Sequence, residues 1–171
     1  MKTFHLLLVC FFLFVGKNLY SQDFEVPENY KFKVAADYAK YEKDIIEAAK
    51  WLLATPFNEQ VEKRRHVSAF VVTWINGSPT VNVEINPTIL DFDKKNEGML
   101  VLYMACSAKY VLENNYSKDM REKHKAALRD MINVYKAGKG INKDKNMEKL
   151  IKYDEEGKMD KWLSEYLKIN M

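Results

Sequence analysis

Nucleophilic catalysis requires a thiol or hydroxyl activated by a nearby base, and this chain offers few such groups. Of its two cysteines, Cys10 lies in the apolar N-terminal run and Cys106 in the string Met104-Ala105-Cys106-Ser107-Ala108. Beyond that run the imidazoles are His66 and His124. His124 shares a helical face with Met120 and Leu128, so Cys106 and His124 are the one thiol and base that a helical fold could bring together. Apolar surroundings raise a thiol pKa and leave it inert. Cys106 is therefore expected as a small core residue and His124 as a packed histidine, with no catalytic set.

Metal ligation meets the same shortage. Glu62 and His66 are four apart and could share one face of a helix, but a catalytic zinc takes three protein ligands and the sequence places no third. Asn142, Asp144 and Asn146 have the alternate spacing of a calcium loop, yet Met147 stands where the turn glycine belongs and Tyr153 where the bidentate acid belongs. Asp91 and Asp93 fail likewise at Lys95. Gly138 and Gly140 are not followed by the Gly-Lys-Ser of a phosphate loop. Neither a metal nor a cofactor is expected, and the acids at Asp154, Glu155 and Glu156 are expected to end a helix in solvent.

The remaining possibility is binding. With 27 Lys and Arg against 24 Asp and Glu the 171-residue chain carries only +3, which argues against a dedicated nucleic-acid binder. The lysines between Lys136 and Lys152 are expected as a solvated face. Aromatic residues make up 13% of the chain, more than a core alone suggests, and tyrosine and tryptophan supply large, rigid contact area. The connection from Asn76 to Asn96 is long for a compact domain, and long connections often bind. Trp74, Asn76, Val81, Val83, Asp91 and Asp93 are thus the expected binding residues.

These groups must be positioned after export. Lys2, a twelve-residue apolar core from Phe4 to Val15, and Gly16 read as a signal peptide over residues 1–21, with cleavage after Ser21. The core is too short to span a bilayer, and branched Val9 before Cys10 argues against lipidation. Cleavage leaves 150 residues, one cysteine and no internal disulfide, and no membrane span is expected thereafter. The product is expected to be secreted or periplasmic.

Hydropathy spacing then predicts the elements. Residues 22–36 read as an extended arm and 37–171 as a single helical domain. Tyr38, Tyr41, Ile45, Ala48, Ala49 and Leu52 line one helical face. Thr55-Pro56 predicts an N-cap and first position for a second helix. Over residues 67–86 two readings compete. Phe70, Val72 and Trp74 alternate before Asn76-Gly77, as in a β-hairpin, but Val67, Phe70, Val71 and Trp74 also step at helical spacing with Gly77 as terminator. The helix is favoured to about Ile75, followed by a short extended segment near 80–86 and a loop over 87–96. Met99 to Leu112 is apolar on nearly every side and predicts a central helix. Met120, Ala127, Leu128, Met131 and Tyr135 share one face of the next, which Gly138 ends. Two short helices separated near Gly157 close the chain. The fold class expected is all-α, an irregular bundle of about five to six helices arranged as helical hairpins.

The strings Thr55-Pro56-Phe57-Asn58-Glu59-Gln60, Asn76-Gly77-Ser78-Pro79-Thr80-Val81 and Glu113-Asn114-Asn115-Tyr116-Ser117-Lys118 resemble small exported bacterial helical proteins of unassigned function. That resemblance spans most of the mature chain and implies no activity or site residues. The function expected is an exported, non-enzymatic domain that binds a protein or cell-envelope component. The alternative is a small secreted hydrolase with an acidic or Cys/His site.

Overall fold

The computed structural model describes residues 23–168, and all regular structure among them is helical. In chain order the elements are α1 (Ala35–Lys40), α2 (Glu42–Ala54), α3 (Val61–Gly77), α4 (Pro87–Asp93), α5 (Met99–Glu113), α6 (Met120–Ala137), α7 (Lys145–Glu155) and α8 (Met159–Trp162). The last runs into a π-helical turn, Leu163–Leu167. Among the described residues eight helices stand where about five to six were expected, the excess coming from short pieces such as α1, α4 and α8. The leader expected over 1–21 lies outside the described residues.

Residues 23–34 carry no helix, but they are fastened to α3. Phe32 packs against Phe70 at 6.0 Å and against Tyr41 edge-on at 5.5 Å, and Lys63 bridges Asp23 at 2.5 Å and Glu25 at 2.6 Å. At the end of this arm the Asp37 carboxylate accepts from Lys33 N and Val34 N, which starts α1. Those two N–H groups hold its pKa below the ordinary carboxylate range.

Two helix starts differ from expectation. Thr55 is not an N-cap; it closes α2, and α3 begins at Val61 after a turn over residues 56–60. The Arg64 guanidinium decides this by donating to the open carbonyls of Leu52 (3.1 Å) and Thr55 at the end of α2. Conversely, Pro87 begins a helix rather than a loop: the Asn86 side chain accepts from Ile89 N at 3.0 Å, Pro87 takes the first position, and Ile89 and Phe92 are buried.

Over 67–77 the chain is helical, and residues 81–86 form neither helix nor strand. Val67, Phe70, Val71 and Trp74 all face the core, and the Trp74 indole donates to Tyr38 O at 3.0 Å. Gly77 is required by proximity. A Cβ there would fall 1.9 Å from the Tyr38 hydroxyl.

Helix α5 lies at the centre, in contact with α2, α3, α4 and α6. Its buried side chains occupy every face: Met99, Leu102, Tyr103, Met104, Ala105, Cys106, Ser107, Ala108 and Val111. Asp93 launches it by accepting from Gly98 N and Leu100 N, each at 2.9 Å. Truncating Leu102 to alanine should leave a central cavity and cost about 2–5 kcal/mol, read as a lower urea midpoint at unchanged slope.

Candidate functional site

Between α3 and α4 the chain crosses α5 and α6 as a strap, residues 81–86, whose polar groups find partners on those helices rather than in a ladder. Ser78 Oγ accepts from Thr80 N and Val81 N at 3.3 and 3.1 Å. Lys123, itself buried, donates from Nζ to Asn82 O at 3.0 Å and pairs with the Glu84 carboxylate. Asn82 donates to the other Glu84 oxygen at 3.0 Å. Beyond the strap, Thr88 Oγ1 donates to Tyr166 O at 3.1 Å, tying the start of α4 to the C-terminal turn.

His124 lies beneath the strap and is only 2% exposed. Its Nδ1 is 2.5 Å from the Tyr103 hydroxyl, while Nε2 has no hydrogen-bond partner and sits 3.7 Å from Glu84 Oε2. Burial, assisted by the Lys123 charge, pushes the imidazole pKa down to about 4, so the ring is neutral. Tyr103 has one proton to share between Nδ1 and Glu84 O, which is 3.3 Å away. Given to the nearer Nδ1, it leaves Nε2–H facing the carboxylate; the opposite tautomer would set a lone pair against it. Burial raises the Tyr103 pKa, so the phenol keeps that proton. The Nε2–H is enclosed beside Glu84, and no proton is displaced to activate a nucleophile.

A cleft of about 900 Å³ opens between the strap, the first turn of α6 and the end of the π-helical turn. Glu84, Lys118, Met120, Arg121, His124 and Lys168 line it. Lys118 and Lys168 form no ion pair among the described residues, whereas Lys125 and Arg121 reach Asp160 at 2.7 and 3.9 Å. Asp119 caps α6 by accepting from Glu122 N at 3.0 Å. Met120 was expected on the core face of α6 but is 42% exposed, because it precedes the turn that reaches α5.

The expected binding residues scatter. Trp74 and Val81 are in the core at 0% and 4% exposure. Asn76 is exposed near the end of α3, and Val83 is half-buried in the strap. Asp91 pairs with Lys94 at 2.6 Å, and Asp93 caps α5. Cys106 is buried, which pushes its thiol pKa well up, with Asp130 as a further cause. Its candidate base, His124, is engaged with Tyr103 instead. Glu62 pairs with Arg65 at 2.8 Å rather than with His66, and Asp144 caps α7 through Asn146 N at 2.6 Å. Among the described residues no three His, Cys, Asp or Glu side chains are grouped to hold a metal ion.

Sequence reasoning missed Glu84, Lys118 and Lys123. For Lys123 a signal existed: it stands four before Ala127, on the inward face of α6. Comparison of the chain with family models, curated proteins and solved structures finds no match.

Two expectations follow from this geometry. The unfolded chain binds the His124 proton near 6.5 and the folded chain only near about 4, so His124 makes stability rise with pH between those values. On acidification through that window, the wild-type urea midpoint should fall relative to that of His124→Gln; parallel curves would refute the burial argument. Cys106 should react with a thiol reagent only as the fold opens, so labelling without denaturant at the rate of a free thiol would contradict its placement.

Proposed function

We propose that the chain is an exported, non-enzymatic helical domain that binds a protein or cell-envelope component through the strap cleft. The observation that carries this reading is a preformed opening with an exposed apolar side chain beside ammonium groups that form no ion pair among the described residues. Met120 lines it, and exposed Ile85 lies in the strap between the lining residues Glu84 and Asn86. Lys118 and Lys168 supply charge. Such a surface suits a partner that presents an acidic group next to an apolar side chain.

The scaffold is read as helical hairpins in series, supported by the packing of α2 on α3, α5 on α6 and α7 on α8. Export rests on the apolar leader of the sequence. Among the described residues no helix is long and apolar enough to cross a membrane.

The test compares wild type with the double variant Ile85→Glu/Met120→Glu, both positions being exposed and therefore tolerant of a charge. A partner captured from the native envelope and re-bound as a purified component should be held at least about tenfold more weakly by the variant. Its affinity for wild type should fall as salt rises. Equal retention by both proteins, or turnover of a substrate by the purified chain, would reject the proposal.

A further inference from the structure

A pocket of about 300 Å³, sharing no lining residue with the strap cleft, lies where α1 and the start of α2 meet the turns after α3 and α5. One wall is the outward side of α1, where Ala35, Ala36 and Ala39 are exposed; Tyr38, Pro79, Thr80 and Tyr116 form the others. These walls are set before any ligand arrives. Tyr38 stacks on Phe32 at 5.2 Å, donates to Phe32 O at 3.4 Å, and occupies the space that Gly77 leaves open. Asn115 and Tyr116 both take left-handed backbone, at φ 52° and 57°, and Tyr116 N donates to Val111 O at 2.9 Å to close that turn. A tyrosine is costly in such a conformation. Here it turns the phenol back onto α2. A pocket held this way loses little entropy on binding.

Glu42 is the charged group of this pocket. Each of its carboxylate oxygens meets one hydroxyl: Tyr116 donates to Oε2 at 2.8 Å, and Thr80 approaches Oε1 at 3.5 Å, the outer limit of a hydrogen bond. Both hydroxyls belong to lining residues, so the carboxylate lies between two walls of the pocket. A carboxylate offers about four lone-pair sites, and each oxygen therefore keeps one open. Hydroxyls orient the group but do not neutralise it. Among the described residues no lysine, arginine or histidine pairs with Glu42; Lys40 lies over the Tyr41 ring at 5.0 Å instead, and Lys43 is exposed. Glu42 opens α2, where the helix dipole favours its charge without supplying a full opposite one. The phenol rings of Tyr38 and Tyr116 add electron-rich surface that favours a cation.

We propose that this pocket binds a small primary alkylammonium, with its N–H groups on the open lone pairs of Glu42 and its short chain along Ala35, Ala36 and Ala39. The volume matches the lower end of small-molecule sites, and an N–H donated to a carboxylate is the stronger, charge-assisted class of hydrogen bond. A quaternary ammonium has no N–H to give those lone pairs and depends on an enclosing aromatic cage, which two rings do not make.

The proposal is tested by titrating the full, ¹⁵N-labelled chain with butylammonium, tetramethylammonium and butanol at constant pH and ionic strength, following the Ala36, Ala39 and Thr80 amides by NMR. Butylammonium should shift all three saturably and bind at least about tenfold more tightly than either of the others. Glu42→Gln, which keeps the side-chain length and can still accept from Tyr116, should bring butylammonium to the affinity of butanol. Ala39→Leu, at an exposed position of α1, should fill the pocket and weaken butylammonium about tenfold with an unchanged thermal midpoint. Butanol binding as tightly as butylammonium would remove the role of the charge, and tetramethylammonium doing so would remove that of the N–H donors. Wild-type affinity in either variant, or shifts confined to the strap cleft, would also overturn the proposal.

Discussion

Helix α5 buries side chains on every side of its axis, so the chain on either side must cover most of it. That requirement orders the rest of the molecule. Helices α2 and α6 take the longest contacts, α3 and α4 close the remaining sides, and the strap between α3 and α4 must cross the bundle to do so. The one lysine of α5, Lys109, escapes burial by reaching out to Glu113 at 3.3 Å and Asp130 at 3.7 Å. Hydrophobic coverage thus fixes where the strap runs, but a strap without ladder partners needs its peptide groups satisfied by side chains. Lys123, which donates to Asn82 O, stands opposite it for that reason.

The Lys123–Glu84 pair shows what such an arrangement costs and secures. Removing the strap would leave the ammonium of a buried lysine without its carboxylate and without Asn82 O, a far larger penalty than losing an exposed ion pair. The strap is therefore held in place even though it is neither helix nor strand, and the cleft beside it is preformed. Burial leaves His124 neutral, with Nδ1 taken by Tyr103 and Nε2 enclosed without a hydrogen-bond partner.

How much of this was legible depends on the range of the interaction that decides each element. Helix α5 and the ends of α6 and α7 follow from local spacing, Gly138 and Asp144, and all lie where the residues imply. Over 67–77 the alternation of Phe70, Val72 and Trp74 competes with the helical set, and it loses because Val67, Phe70, Val71 and Trp74 are all fully buried while Val72 is only partly so. Thr55-Pro56 misleads because Arg64, nine residues on, takes the Thr55 carbonyl for the end of α2. Asn86-Pro87 carries an ordinary cap signal that the length of the connection obscures. The site was the least legible part: a lysine in a charged helix reads as solvent-facing until its partner, 39 residues earlier, is known.

The aromatic content also takes a different meaning once the arm is placed. Phe24, Tyr30, Phe32, Tyr38, Tyr41 and Phe70 form one contiguous set of ring contacts, and Trp74 joins it through Tyr38. These rings hold residues 23–34 on the bundle, where the described residues contain one cysteine, buried Cys106, and no disulfide to do so. A surplus of aromatic residues in a small domain is therefore satisfied by anchoring a segment that has no helix of its own. In the proposed reading, recognition falls instead to the strap cleft, where Lys118 and Lys168, which form no ion pair among the described residues, lie beside exposed Met120. A partner that presents an anionic group beside an apolar side chain would meet both at once.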